Sequence, residues 1–90
     1  MIVVYSKDFK GHLSKIKDAT IAKRIVQTID KLESANTLKD VSNVETIQGH
    51  PNYYRIRFGD YRIGIYHIET EQEVELVAVA HRSKIYNIFP

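Results

Sequence analysis

The chain has no cysteine and no tryptophan, and only two prolines, four glycines and one methionine in 90 residues. Each shortage excludes something. Without cysteine there is no disulfide framework, no thiolate zinc site and no cysteine nucleophile. The apolar stretches are strand-sized, too short to cross a bilayer core of about 30 Å, so no membrane partner is expected. The opening Met1-Ile2-Val3-Val4-Tyr5 runs straight into Ser6-Lys7-Asp8. It lacks the basic onset, long apolar run and small-residue cleavage site of an export signal, and a cytoplasmic address is expected. Net charge is scarce too, +2 from thirteen Lys/Arg and eleven Asp/Glu. That is too little to dictate a polyanionic partner, so any such partner must be read from the local placement of cations.

What is present, 43% apolar and 27% charged residues, describes one compact domain over residues 1–90. A chain of this length buries about 65% of its unfolded surface, enough for a single core. No internal repeat or low-complexity tract divides it. The apolar period is helical before about residue 36 and strand-like after about residue 44. Ile2-Val3-Val4-Tyr5 reads as a short strand, followed by Ser6 as a helix N-cap. Phe9, Leu13 and Ile16 form one stripe of a short helix weakened by Gly11. Ile21, Ala22, Ile25, Val26, Ile29 and Leu32 line one face of a second helix, capped by Asp18 or Thr20 and ended by Ser34-Ala35-Asn36.

Residues 37 to 52 are irregular, with Leu38 and Val41 as anchors and Gly49-His50-Pro51-Asn52 as a turn. Three strands are then expected: Tyr54 to Phe58, Tyr61 to Ile68 after the tight Gly59-Asp60 hairpin, and Val74 to His81 after a turn at Glu69 to Glu73. The expected fold is α+β: two N-terminal helices packed on one face of a mainly antiparallel β-sheet, two layers that leave the other face uncovered.

Because side chains alternate across a strand, Arg55 and Arg57 share one face while Tyr54, Ile56 and Phe58 share the other. With the apolar trio under the helices, both guanidiniums point out of the free face. The hairpin folds Arg62 back beside them, and the last strand ends at His81-Arg82 with Tyr86 close by. Four arginines from three strands are thus expected to converge, while Glu69, Glu71, Glu73 and Glu75 gather at the far turn and the balancing acids lie elsewhere. The plain alternative is a solvated, aggregation-blunting face. Against it stands the recurrence of Arg on three strands: guanidiniums without local carboxylates suit phosphate, which Arg grips bidentately. His12, His50, His67 and His81 show no metal-ligand spacing, and neither metal nor cofactor is expected. His67 reads as structural. Tyr53, Tyr54, Tyr61 and Tyr66 read as packed strand aromatics, with Tyr61 the candidate to stack on an RNA base.

The stretch Gly49 to Tyr66, with its Tyr54-Arg55-Ile56-Arg57 and Asp60-Tyr61-Arg62 motifs, followed by Val77 to Tyr86 with His81-Arg82-Ser83-Lys84-Ile85-Tyr86, resembles the RelE/ParE superfamily of bacterial toxin–antitoxin toxins. The likeness covers essentially the whole chain. It implies one of two activities: RelE-like cutting of messenger RNA in the ribosomal A site, or ParE-like poisoning of DNA gyrase. A degenerate toxin acting with its antitoxin as a corepressor is a third reading. In the RelE-like branch, positions matching Arg55, Arg57, Arg62, Arg82 and Tyr86 surround the scissile phosphate; all five hold competent residues, which favours the nuclease.

The chemistry implied is metal-free attack of a ribose 2′-hydroxyl on phosphorus, which needs a base, an acid and cations around the phosphorane. One departure stands out. RelE-like members carry lysine where this chain has Arg55, and an arginine cannot serve as a base. The proton work is therefore expected of Tyr86, then His81, then His50. His50, Tyr61 and Lys84 are candidate RNA contacts, and the basic side chains of both helices, among them Arg24 and Lys31, are a solvated face with nonspecific phosphate contact. The resemblance further implies a cognate antitoxin whose acidic segment covers the basic patch, messenger and ribosomal RNA as partners, and operator DNA reached only through the antitoxin.

Overall fold

A computed structural model describes all 90 residues. Strand β1 (Ile2–Tyr5) leads into α1 (Lys7–Ser14) and α2 (Ala19–Ser34). A 3-10 turn at Leu38–Asp40 precedes β2 (Val44–Thr46), β3 (Tyr53–Phe58) and β4 (Tyr61–Ile68). A second 3-10 turn, Glu69–Glu71, precedes β5 (Glu73–His81) and the C-terminal α3 (Arg82–Ile88). The five strands form one sheet in the order β1-β5-β4-β3-β2, antiparallel except for the β1–β5 pair.

Local chemistry sets the helix starts. The Ser6 hydroxyl accepts a hydrogen bond from the Phe9 amide (3.0 Å), and Asp18 Oδ1 accepts from the amides of Thr20 (2.8 Å) and Ile21 (3.2 Å). Of the two expected caps on α2, Asp18 is the one used. Phe9, Ile25, Ile29 and Leu32 are buried against Ile56, Phe58, Ile63, Ile65, Val74, Leu76 and Val79 of the sheet, with Leu38 and Val41 closing one flank. Val26, expected on the core stripe, is exposed, because α2 rests on a narrow seam of Ile25, Ile29 and Leu32. Ile16 lies beyond the end of α1 but still packs on the core.

Two elements depart from the sequence reading. Strand β2 pairs Val44 with Ile56, Glu45 with Arg55 and Thr46 with Tyr54, in a segment read as irregular. The second is α3, which folds onto the face expected to be bare. There Ile85 and Phe89 form a small core with Ala78, flanked by Ile47, Tyr53, Val77 and Ala80. Gly64 makes this possible: a Cβ at that position would stand 2.6 Å from Phe89 ring atoms. A register shift between β4 and β5, with Gly64 opposite Ala78 but Ile65 opposite Leu76, inserts Val77 as an extra residue. That bulge lets Leu76 and Val79 both reach the helix side.

Candidate active site

The site is built around the β3–β4 hairpin. Gly59 adopts φ +57°, a left-handed conformation that suits glycine in a tight turn, and Asp60 completes it. The reversal sets Arg57 directly opposite Arg62, both on the face away from α1 and α2. Arg57 is exposed and has no ion-pair partner. Arg62 is held more tightly: only 12% of its side chain is accessible, and Nη1 donates to the carbonyls of Gly59 (3.1 Å) and Tyr61 (2.9 Å). Its Nε is buried, has no hydrogen-bond partner, and lies 3.8 Å from Glu45 Oε1.

Glu45 is the side chain at this face that the sequence reading missed. It sits opposite Arg55 on β2, a strand of only three residues, and so enters the arginine face from an unrecognised element. The expectation that balancing acids lie elsewhere is corrected on two counts. Besides Glu45, Asp60 Oδ1 stands 3.8 Å from Arg82 Nε, in a pair whose side chains are 63% and 73% exposed. Neither contact reaches hydrogen-bond length, and the exposed pair contributes little energy. Four guanidiniums still share the face with two carboxylates.

Arg82 and Tyr86 belong to α3 rather than to the end of the last strand. The Arg82 amide donates to the Asp60 carbonyl at 2.7 Å, tying the start of α3 to the hairpin tip. One turn further on, Tyr86 is 62% exposed, and the Arg55 guanidinium carbon lies 4.6 Å from its ring centroid. The structure thus brings together Arg55, Arg57, Arg62, Arg82, Tyr86 and Glu45.

The remaining candidates stand apart. His81 faces the helix side across from Tyr61, their rings edge-on at 5.6 Å, and its Nδ1 accepts from the Ser83 amide (3.2 Å) as the N-cap of α3. Its 2.9 Å contact with Ser83 Oγ engages the same nitrogen. Tyr61 is half-buried between Phe58 and His81 on that side. His50 lies before the start of β3, the end opposite the hairpin, edge-on to Tyr53. Lys84 is exposed on α3, and nothing places it in contact with the arginines. Chemically, the face combines fixed cations, two carboxylates and one accessible phenol. It can hold a phosphodiester and move a proton on either side of it.

Comparison with known proteins agrees with this architecture. A family model described as the ParE toxin of a type II toxin–antitoxin system, parDE, matches residues 3–86. Toxin RelE3 of Methanocaldococcus jannaschii is 38% identical over 92 aligned positions, spanning 100% of both chains. The crystal structure of the RelB–RelE antitoxin–toxin complex from Methanococcus jannaschii matches with a TM-score of 0.80 at 34% identity, over 97% of this chain and 99% of that one. An archaeal RelE–RelB complex from Pyrococcus horikoshii matches in fold, with a TM-score of 0.74 at 20% identity over 92% and 96% of the two chains.

Proposed function

The chain belongs to the RelE/ParE superfamily of toxins of type II toxin–antitoxin systems, and from that premise we propose that it is a metal-independent endoribonuclease that cuts messenger RNA in the A site of the translating ribosome. The observation that carries the reading is the Arg57–Arg62 pair. Like charges directly opposite each other on neighbouring strands are destabilising, yet here Arg57 has no carboxylate and Arg62 faces its one carboxylate, Glu45, at 3.8 Å, short of a hydrogen bond. A phosphate oxygen between them supplies what both lack.

In the reaction, the ribose 2′-oxygen bonds to phosphorus and the phosphorus–O5′ bond breaks. Glu45 takes the 2′-hydroxyl proton and the Tyr86 hydroxyl gives one to the departing O5′, so the proton count balances. Arg57, Arg62 and Arg82 stabilise the extra negative charge of the phosphorane. Glu45 supersedes His81 as proton acceptor, because the His81 Nδ1 already caps α3. His50, at the far end of β3, is outside reach of this chemistry. With so few groups, the enzyme relies on the ribosome to hold and bend the message, and the cell compartment is the cytoplasm.

Related toxins are solved as complexes with their antitoxins. For this chain the partner is an antitoxin laying acidic side chains over the arginine face, and operator DNA is reached through it. The test is a translation extract with a defined message, mapped for cuts with and without ribosomes. Ribosome-dependent cuts within codons are expected, and intact message would end the nuclease assignment. A second reading, inhibition of DNA gyrase, draws on the ParE description of the matching family model. It requires inhibited supercoiling and toxicity that survives Arg62→Ala.

A further inference from the structure

The family resemblance assigns Arg55 to the scissile phosphate, but its surroundings give it another task. Arg55 lies mid-strand on β3, with Glu45 opposite on β2 and Gly64 opposite on β4. Gly64 has no side chain, and the ring of Phe89, just past the C-terminal end of α3, fills the space above it. Arg55 therefore occupies a trough between β2 and α3. It takes part in no ion pair, its Nε is buried without a hydrogen-bond partner, and its guanidinium sits against the Tyr86 ring at 4.6 Å. Tyr86, in turn, is mostly exposed on a seven-residue helix whose buried anchors are Ile85 and the following Phe89. The Tyr86 ring lies against the Arg55 guanidinium.

We infer that Arg55 is a positioning residue: its guanidinium is a cationic platform that holds the Tyr86 ring, and with it the hydroxyl, over the site rather than a clamp on substrate phosphate. The inference rests on the ribonuclease reading for its purpose, though not for its geometry. A planar, weakly hydrated guanidinium stacks on an aromatic face better than an ammonium does. That gives arginine at this position a task that a lysine would fill less well. It also separates the four arginines by role: Arg57, Arg62 and Arg82 meet phosphate, and Arg55 meets the phenol.

The experiment has a spectroscopic arm and a kinetic arm. In NMR spectra of the intact chain, ring current should move the Arg55 side-chain protons upfield, and Tyr86→Leu should return them to ordinary positions. Arg55 signals indifferent to Tyr86→Leu overturn the platform. In single-turnover cutting of message on stalled ribosomes, Arg55→Met should lower the rate about 10- to 100-fold with KM little changed, as expected of a misplaced reacting group. Arg55→Lys, which keeps a cation beneath the ring, should recover part of that loss. In a Tyr86→Leu background, Arg55→Met should cost nothing further.

Binding of an uncleavable RNA carrying a 2′-deoxy position gives the contrary signature. If Arg55 neutralises a phosphate, Arg55→Met lowers the slope of log affinity against log salt by about 0.7 and its cost adds to that of Tyr86→Leu. Either result overturns the inference. A wild-type protein that cuts no message overturns the ribonuclease reading and with it the purpose of the platform, while the ring-current shift decides the stacking by itself.

Discussion

The two faces of strand β3 are built by opposite rules. Toward α1 and α2, Ile56 and Phe58 are buried and Tyr54 packs behind them. Each large apolar side chain so buried contributes about 1.5–3 kcal/mol. On the reverse face, Arg55 and Arg57 alternate with them; Arg55 lies against the Tyr86 ring and Arg57 is exposed. That face gains almost nothing from its charges, since exposed ion pairs contribute about 0–1 kcal/mol and Arg57 has none. The same backbone carries one surface closed by packing and another on which α3 covers part and leaves Arg57 without a partner. Stability should therefore be read on the first and activity on the second.

Adjacent residues on β4 put this to the sharpest test. Arg62→Ala should lower ribosome-dependent cutting about 10²- to 10³-fold, the loss typical of removing one preorganised charge donor. The Nη1 bonds to Gly59 and Tyr61 lost with it are partly exposed, so thermal unfolding should move only modestly. One residue on, Ile63 is fully buried in the helix-side core. Ile63→Ala should cost about 2–5 kcal/mol of stability in denaturant unfolding, while the cutting rate per folded molecule stays near that of the wild type. If Ile63→Ala instead abolished cutting by folded protein, the separation of the two faces would be wrong.

How much of this was legible beforehand depended on whether the signal was local. Ser6 and Asp18 cap their helices because a cap needs only three neighbouring residues, and β1 and β4 match their expected bounds. Arg55, Arg57 and Arg62 meet because alternation and a two-residue hairpin fix their directions without reference to the rest of the chain. Glu45 was invisible because β2 has three residues and exists only through its pairing with β3. The bulge in β5 was invisible for a different reason: Val74, Leu76, Val77, Ala78, Val79 and Ala80 are all apolar, so no alternation marks the slip. The spacing of Ile85 and Phe89, i and i+4, was the available hint of α3, but its cap is a histidine rather than a residue commonly found there.

An intermediate effect is expected where the two regimes meet. Gly64 lies on the arginine face but serves packing, since its missing Cβ admits the Phe89 ring. Gly64→Ala should push that ring away and loosen α3, at a cost of about 1–3 kcal/mol in unfolding. Because Tyr86 rides on α3, cutting should fall as well. Phe89→Ala should loosen the same helix without a clash, so a comparable fall in activity from both variants would place the anchor, rather than the glycine itself, upstream of the phenol.

The smallest effect is expected at the hairpin tip, where an ion pair and a backbone bond run side by side. Asp60 Oδ1 faces Arg82 Nε at 3.8 Å with both side chains largely exposed, whereas the Arg82 amide donates to the Asp60 carbonyl at 2.7 Å. If the backbone bond is what tethers α3 to the hairpin, Asp60→Asn keeps it, and stability should change by less than about 0.5 kcal/mol. The variant also removes one of the two carboxylates on the arginine face. RNA should then bind slightly tighter at low salt, with the gain vanishing as salt screens the exposed charges. A loss of more than about 1 kcal/mol would mean that the carboxylate, not the main chain, fixes Arg82, and the face would count as partly completed by its own acids.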